Sequence, residues 1–286
     1  MRRFTIGLIA LGLALTIRPA FAAWQSNATA PSQTDTLNKV EQLVGTTKNA
    51  VVLLDLDSTL YDNRGRSAAI IQEYGQTKSY TALQIITGDT ITDGFQVTEF
   101  VLAQLKNTPG IDAAAVGTEF SAFWAQRFFG ADYLKYDRPL PGAVEFVKGL
   151  YGKGASLLYV SSRDEQTLRT GTEAKMRADG FPLGDTRAIL LMKPANNVAL
   201  SGDKNSPAYK EAMAKANQAF KQSIIEKARA IGTVVASFEN EPGQINQYFE
   251  NLHKTGTGVA VFLDTDHFPN APAVSPGVQA VRGFLR

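Results

Sequence analysis

The 286-residue chain contains no cysteine. Disulfide bonds, thiol catalysis, cysteine zinc sites and a lipid anchor on a cysteine are therefore excluded. A chain of this length buries a full core without such covalent or metal cross-links. Its composition, 44% hydrophobic and 20% charged, is that of an ordinary globular protein. The length predicts one large domain, or a domain that carries an insert.

A long hydrophobic run is also missing. The apolar stretch from 4 to 17 is shorter than the roughly 20 residues that a membrane helix needs. Arg2 and Arg3 precede it, and Ala20-Phe-Ala22 follows as a small-x-small cleavage site. This order predicts a secretory signal peptide, residues 1–22, cleaved after Ala22; an uncleaved anchor is the alternative. Because an exported chain without disulfides is easiest to place in the bacterial periplasm, we expect a periplasmic or secreted protein.

No basic run remains once this segment is removed. Cleavage takes away three arginines and no acid, so the formal charge moves from +2 to −1. Nothing in the remaining charge pattern indicates binding to nucleic acid or to acidic lipids, and no stable membrane anchor is expected.

Hydrophobic runs and helical patterns alternate along most of the chain. Residues 23–49 are a linker with a short helix at 36–44. Strands are predicted at 50–54, 155–160, 188–192, 233–238 and 258–263, with helices at 141–151, 164–178, 207–231 and 244–253. This alternation predicts an α/β fold, a Rossmann-like parallel sheet with helices on both faces. In such sheets the active site lies beyond the carboxyl ends of the strands.

The segment 64–137 interrupts this alternation and has a helical pattern, with a break at Pro109-Gly110. It holds many of the aromatic residues, among them Phe120, Phe123, Trp124, Phe128, Phe129, Tyr133 and Tyr136. We interpret most of these as helical core; a lid that faces a substrate is the alternative.

Polar side chains collect at the predicted strand ends. They are Asp55, Asp57 and Thr59 after the first strand, Ser161 and Ser162 after the second, and Glu239 and Glu241 after the fourth, with Lys221 in the preceding helix. One carboxylate can attack phosphorus, and a second can exchange a proton with the leaving group and with water. A hard cation such as Mg2+ relieves the repulsion between the acids and a phosphate. Hydroxyls and an ammonium can bind the phosphate oxygens.

This constellation resembles the haloacid dehalogenase-like hydrolase superfamily over roughly residues 50–265. Asp55-Leu-Asp57-Ser-Thr59 matches its first motif, and Leu157–Arg163 resembles its second motif. Phe220-Lys221 resembles the third motif, and Phe238-Glu-Asn-Glu241 stands at the fourth.

The resemblance implies roles for these residues. Asp55 would be the nucleophile and Asp57 the general acid/base. Thr59, Ser161, Ser162 and Lys221 would bind phosphate. Mg2+ would be held by the Asp55 carboxylate, the Asp57 main-chain carbonyl and an acid of the fourth motif. The family usually has a Gly-Asp pair there, so Glu239 departs from the pattern, and Glu241 could share its task.

The resemblance also implies a domain division. Residues 50–63 and 138–286 would form the core domain, and the helical insert 64–137 would be a C1-type cap that closes over the site. The chain would then be a secreted, acid-phosphatase-like member of the superfamily.

These observations predict a magnesium-dependent phosphatase that hydrolyses a small-molecule phosphate monoester through an aspartyl phosphate on Asp55. A non-catalytic binding protein on the same fold and a phosphotransferase are the alternatives. At the level of residues, Lys221 could be a solvated lysine, Ser161 could cap a helix, and the two glutamates could be acids at a helix start. An EF-hand loop is excluded because Leu60 stands where the sharp turn needs glycine. Asp264-Thr-Asp266 repeats the first motif, but we interpret it as a loop because nothing downstream could complete a site.

Overall fold

The computed structural model describes residues 32–194, 207–268 and 271–286. The predicted signal peptide, residues 23–31 of the linker after it and residues 195–206 lie outside the described residues. Within these ranges no helix combines the length and the apolar character that crossing a membrane requires.

A six-stranded parallel sheet forms the centre of the structure, and it confirms the predicted α/β class. Its strands stand in the order β5-β4-β1-β6-β7-β8. Their bounds are Ala50–Asp55 (β1), Ser156–Asp164 (β4), Ala188–Lys193 (β5), Thr233–Glu239 (β6), Val259–Leu263 (β7) and Gln279–Val281 (β8). The last of these was not predicted, because three residues are too short for a hydrophobic alternation to be recognised.

Helices cover both faces of the sheet. They are Gln33–Thr46 (α1), Ala143–Gly152 (α5), Glu165–Asp179 (α6), Pro207–Ile231 (α7) and Pro242–Tyr248 (α8). A π-helical turn, Phe249–His253, continues the last one. In β1 the side chains of Val52 and Leu54 pack with α1, α5 and α6, whereas Val51 and Leu53 pack with α7 and α8. The strand is thus buried on both sides, which explains its unbroken apolar sequence.

The segment after β1 forms a helical subdomain with a core of its own. Its α-helices are Arg64–Lys78 (α2), Val97–Leu105 (α3) and Ala113–Phe128 (α4). Tyr74 and Phe120 are fully buried at its centre, with their rings edge to face. A short antiparallel ribbon, Tyr61–Asp62 (β2) with Arg138–Pro139 (β3), joins the chain where it leaves the sheet domain and where it returns.

The strand order reverses at β1 and β6, which creates a crevice at their carboxyl ends. From β1 the chain continues to β4 and β5 on one side, and then crosses to β6, β7 and β8 on the other. Leu54 of β1 pairs with Phe238 of β6. Asp55 and Glu239 follow one residue later on neighbouring strands, at the position where open α/β sheets bind their ligands.

Candidate active site

A tight turn after β1 presents two aspartates to a cavity. The carbonyl of Leu56 accepts hydrogen bonds from the amides of Leu60 and Tyr61, both at 2.9 Å, and Ser58 has a φ of 58°. Leu56 itself is fully buried, while Asp55 and Asp57 on either side of it line a cavity of about 780 Å3. The alternation of the extended chain therefore places the two carboxylates on the same side.

Asp55 lies in an environment that opposes its ionisation. Burial raises the pKa of its carboxyl well above the ordinary value, and the negative charges of Glu239 and Asp57 raise it further. A hydrogen bond from Thr59 acts in the opposite direction. Asp55 is thus an acid that needs either a proton or a nearby cation.

Asp57 is held by Arg163, which lies at the end of β4. Arg163 donates to both carboxylate oxygens, from Nε at 2.9 Å and from Nη2 at 2.7 Å. Burial opposes ionisation of this carboxyl, but Arg163, together with Arg66, lowers its pKa below the ordinary value. The side chain of Asp57 remains 36% exposed, toward the cavity, whereas that of Arg163 is buried. This bidentate pair fixes the plane of the Asp57 carboxylate.

A buried ion pair from the helical subdomain supports this clamp. Arg66 of α2 and Asp137 are almost completely buried and form a salt bridge, with Arg66 Nε donating to Asp137 Oδ1 at 2.8 Å. Asp137 also accepts from Arg163 Nη2 at 2.8 Å, and Arg66 Nη2 lies 3.5 Å from Asp57 Oδ1. Two arginines and two aspartates therefore form one network that crosses from the helical subdomain to the sheet domain.

The end of β6 has the opposite character, because acids collect there without an arginine. Burial raises the pKa of Glu239 to about 8, and the nearby Glu241 contributes in the same direction. Burial also raises the pKa of Glu241. Glu239 accepts a hydrogen bond from the main-chain amide of Glu241 at 3.0 Å. One buried carboxylate oxygen of Glu241, Oε1, has no hydrogen-bond partner among the described residues.

These acids fit a hard cation, although they do not form a full cage. In the described part of the chain, no group of three or more His, Cys, Asp or Glu side chains is arranged to hold a metal ion. The Asp57 carboxylate is occupied by Arg163, which leaves Asp55, Glu239 and the unpaired oxygen of Glu241. Mg2+ is commonly bound in this way, by one or two carboxylates, with water and substrate phosphate as the other ligands.

The four residues predicted to bind phosphate separate into two pairs. Ser162 and Lys221 line the cavity. Ser161 and Thr59 are almost fully buried and are not among the lining residues. Ser161 Oγ accepts the main-chain amide of Arg163 at 3.2 Å, while the Thr59 hydroxyl is within hydrogen-bonding range of Asp55 and of Asn240 Oδ1. Their positions suit support of the lining residues better than direct contact with a ligand.

The segment after β7 is a loop, as predicted, but it also reaches the cavity, which the sequence did not indicate. Thr265 Oγ1 donates to the main-chain carbonyl of Ser58, and Asn240 Nδ2 donates to that of Asp266 at 2.6 Å. The side chain of Asp266 lines the cavity and lies 3.9 Å from Arg64 Nε. The second Asp-x-Asp sequence thus forms part of the wall around the first.

The aromatic residues of the helical subdomain, most of which were interpreted as core, have different positions. Some pack in the core, and others line the cavity. Phe120 is fully buried, and Phe123 packs against the same cluster. Trp124, Phe128 and Phe129 line the cavity. The core interpretation therefore holds for Phe120 and Phe123, whereas the role of a lid stays a prediction for the residues that line the cavity.

Three functional candidates escaped the sequence analysis. Lys193 at the end of β5 lines the cavity, and burial lowers its pKa. Arg66 and Asp137 were not recognised as a pair because 71 residues separate them in the chain. A signal for Lys193 existed, since it directly follows a predicted strand; for the Arg66–Asp137 pair the sequence carries none.

No family model and no curated protein matches this chain. Solved structures do match, at low identity. A protein from Bacteroides fragilis, described as a haloacid dehalogenase-like hydrolase, is 16% identical with a TM-score of 0.36, over 75% of this chain and 87% of that one. A phosphoserine phosphatase, in the form of a phospho-aspartyl intermediate analogue, is 16% identical with a TM-score of 0.36, over 77% of this chain and 88% of that one.

A third similar structure is CbbY from Rhodobacter sphaeroides in complex with phosphate. It is 15% identical, with a TM-score of 0.36, over 82% of this chain and 94% of that one.

Proposed function

We propose that this chain is a magnesium-dependent phosphatase of the haloacid dehalogenase-like superfamily, which hydrolyses a small-molecule phosphate monoester through an aspartyl phosphate on Asp55. One observation carries the proposal: Asp55 lies half-buried at the β1/β6 crevice, between an arginine-bound Asp57 and the acidic end of β6, and faces a large cavity. Under this proposal the core is 50–63 and 138–286, and the insert 64–137 is a C1-type cap.

Asp55 would act as the nucleophile. Its carboxylate oxygen attacks phosphorus, the bond between phosphorus and the ester oxygen breaks, and an acyl phosphate forms on Asp55. Water then attacks the same phosphorus, which releases inorganic phosphate and restores the carboxylate. A bound Mg2+ would supply charge compensation for the acids and the phosphate oxygens. Asp55 and Glu239, the main-chain carbonyl of Asp57 and the unpaired oxygen of Glu241 are the groups available to hold it.

Asp57 would carry the proton in both steps. It donates a proton to the departing oxygen of the alcohol and later accepts one from the attacking water. The two hydrogen bonds from Arg163 hold its carboxyl in one orientation for both transfers. The negative charge of a bound phosphate raises the pKa of this carboxyl, which is the direction that general acid catalysis requires.

Lys221 and Ser162 would bind the phosphate oxygens, because both line the cavity that holds the two aspartates. An ammonium and a hydroxyl in this position stabilise the charge that spreads over the oxygens in the transition state. Lys193 lines the same cavity and supplies a second ammonium.

The test is release of phosphate from 4-nitrophenyl phosphate, with and without Mg2+. We expect turnover that requires the metal and falls by at least about 10^4-fold in Asp55→Asn, because the nucleophile is lost. Asp264→Asn is the matched control, since Asp264 also begins an Asp-x-Asp sequence after a strand but pairs with the exposed Arg282. Acid quenching followed by mass spectrometry should place the trapped phosphoryl group on the peptide that contains Asp55.

Three results would contradict the proposal. Equal activity in Asp55→Asn would exclude Asp55 as the nucleophile. Absence of both Mg2+ binding and turnover across a broad panel of phosphate esters would favour a non-catalytic binding protein. Transfer of phosphate to added alcohols in preference to water would identify a phosphotransferase that uses the same intermediate.

We also propose export to the periplasm or the exterior, with cleavage after Ala22. The charged start, the short apolar run and the small-x-small site support it. N-terminal sequencing of the protein from a fractionated host should begin at Ala23, and retention of Met1 in the cytosolic fraction would contradict it.

A further inference from the structure

The lining of the cavity at the candidate site includes aromatic side chains that the phosphoryl chemistry does not use. We call five of them the aromatic end of the cavity: Phe95, Trp124, Phe128, Phe129 and Phe268. Three of them are unusually exposed for phenylalanine: the exposed fraction is 37% for Phe95, 60% for Phe129 and 59% for Phe268. Exposed apolar side chains that gather in one place mark a surface that binds something.

Trp124 and Phe128 are stacked on each other in this aromatic end, and we call this pair the aromatic shelf. Their rings stack with centroids 4.3 Å apart and planes inclined by 23°, and Phe129 stands nearly perpendicular to Phe128. The indole Nε1 of Trp124 donates to Ser67 Oγ at 3.1 Å. Because this hydrogen bond and the stacking fix the plane of the indole, the shelf is formed before any ligand arrives.

The shelf is attached to the network that holds Asp57. Arg66 donates from Nη1 to the main-chain carbonyl of Phe128 at 3.0 Å, and its guanidinium lies 4.4 Å from the centre of the Phe128 ring. The same arginine reaches to 3.5 Å from Asp57. One side chain thus sets the position of the aromatic shelf relative to the proposed proton donor.

We propose that the leaving group of the substrate carries a planar aromatic ring, which packs against the aromatic end of the cavity while its phosphate lies at Asp55. This inference rests on the proposed phosphatase function. In the first step the Asp55 oxygen–phosphorus bond forms, the phosphorus–ester oxygen bond breaks, and that oxygen takes the proton of Asp57, so that a neutral aromatic alcohol leaves. A ring that meets other rings in offset or edge-to-face geometry gains more than its buried area alone provides.

The experiment compares kcat/KM for benzyl phosphate and cyclohexylmethyl phosphate. Both esters release a primary alcohol of similar acidity and size, so the planarity of the ring is the main difference between them. We expect benzyl phosphate to be preferred by about three- to tenfold, the range that aromatic contacts provide beyond burial.

Two substitutions locate the preference. Phe129→Leu and Phe268→Leu keep an apolar side chain at exposed positions, so the fold should tolerate both. Each should reduce the preference for benzyl phosphate toward equality. Tyr136→Leu is the matched control, because Tyr136 is 41% exposed in the same part of the chain but does not line the cavity. It should leave the preference unchanged.

A further pair of substrates distinguishes two sources of the aromatic ring. Adenosine 5′-monophosphate and ribose 5-phosphate differ in the base alone. A preference for the nucleotide that is larger than that for benzyl phosphate would identify a nucleoside as the leaving group. A preference confined to benzyl phosphate and phenolic esters would identify a simple aromatic alcohol.

These measurements distinguish failure of the inference from failure of the proposed function. Turnover with equal kcat/KM for the benzyl and cyclohexylmethyl esters overturns the inference and leaves the phosphatase standing. If no ester is hydrolysed, the proposed function fails, and calorimetric binding of benzylphosphonate against cyclohexylmethylphosphonate still decides the inference. Equal affinities there overturn it, and tighter binding of the benzyl compound supports it.

Discussion

The two sides of the candidate site have opposite electrostatics. The arginine side consists of Asp57, Arg66, Asp137 and Arg163, where each buried charge has a partner of opposite sign. The acidic side consists of Asp55, Glu239 and Glu241, where burial raises all three carboxyl pKa values. The charge of Glu239 raises the pKa of Asp55 further, and the charge of Glu241 does the same for Glu239. A missing positive charge is therefore required on the acidic side alone, and this difference locates the proposed Mg2+.

The two sides also have different origins in the chain. Arg66 and Asp137 belong to the segment between β2 and β3, whereas Asp55, Glu239 and Glu241 follow strands of the sheet. The arginine side is thus completed only when the helical subdomain packs onto the sheet domain. The acidic side is assembled by the sheet alone. Substitutions on the arginine side should therefore affect the packing of the helical subdomain against the sheet domain, whereas substitutions on the acidic side should affect metal binding.

The largest effect is expected where the arginine side is broken at its centre. Asp137→Asn removes the carboxylate that Arg66 and Arg163 share, which leaves two buried guanidinium groups without their partner. Loss of one member of a buried ion pair costs about 3–5 kcal/mol of unfolding free energy. Urea denaturation measures the change.

The control for this substitution is Glu165→Gln, which breaks the exposed pair with Arg169 and should cost at most about 1 kcal/mol. A similar small loss in Asp137→Asn would mean that the two arginines find other partners, and that the network does not join the two parts of the molecule.

A second prediction tests whether the orientation of the Asp57 carboxyl matters when the residue itself is retained. Arg163→Lys keeps the positive charge, but a single ammonium cannot donate to both oxygens of Asp57 as the guanidinium does. Because the carboxyl loses its fixed orientation, kcat should fall by about 100-fold while KM changes little. Steady-state kinetics measure both.

Arg169→Lys, in the exposed pairs of α6, is the control and should leave both constants unchanged. A rise in KM with kcat unchanged would show that Arg163 binds substrate and does not position Asp57.

The acidic side was predictable from the sequence, whereas on the arginine side the sequence predicted a role only for Asp57. Asp55 and Glu239 follow apolar runs, and parallel strands bring such positions to one edge whatever lies between them in sequence. The Arg66–Asp137 pair follows no strand and has no spacing rule, because its contact depends on how the helical subdomain folds back. Its charged residues resemble any solvated pair until burial is known.

Two other differences between prediction and structure have the same cause, because the sequence pattern does not show which elements pack together. The sequence pattern marked Trp124 and Phe120 equally as apolar positions of one helix, yet one lines the cavity and the other is core. Asp266 was dismissed because no partner follows it in sequence, but its partners precede it. Helical periodicity identifies the apolar face of a helix, but it does not show whether a core or a cavity lies against that face.

A third prediction acts on the acidic side and has the opposite sign for stability. Glu239→Gln removes a buried negative charge beside Asp55, so the metal-free protein should gain about 2 kcal/mol of unfolding free energy at pH 8. The same change should abolish most of the stabilisation that Mg2+ gives the unsubstituted protein, since a ligand of the metal is lost. Thermal unfolding with chelator and with Mg2+ measures both.

Glu250→Gln, which affects an exposed pair with Lys254, is the control and should change neither value. Destabilisation of the metal-free protein by Glu239→Gln would contradict the comparison, because it would mean that Glu239 already has a compensating partner.

The smallest effect concerns the pH dependence of stability in chelator. The pKa of Glu239 is raised from an ordinary 4.5 to about 8, with burial as the main cause, so the folded state retains a proton that the unfolded chain has lost. Stability from this group is complete below about pH 4.5 and is lost as the pH rises through about 8. Asp57 contributes nothing in this window, because its pKa is lowered and its stabilisation disappears only as the pH falls below 3.8. Between pH 6 and 8 the metal-free protein should therefore lose about 1–2 kcal/mol, and Tm should fall by a few degrees. Mg2+ should flatten this slope, whereas Glu239→Gln should reduce it to the part that Asp55 and Glu241 contribute, because their pKa values are raised as well. A slope that persists with Mg2+ bound would assign it to groups outside the acidic side.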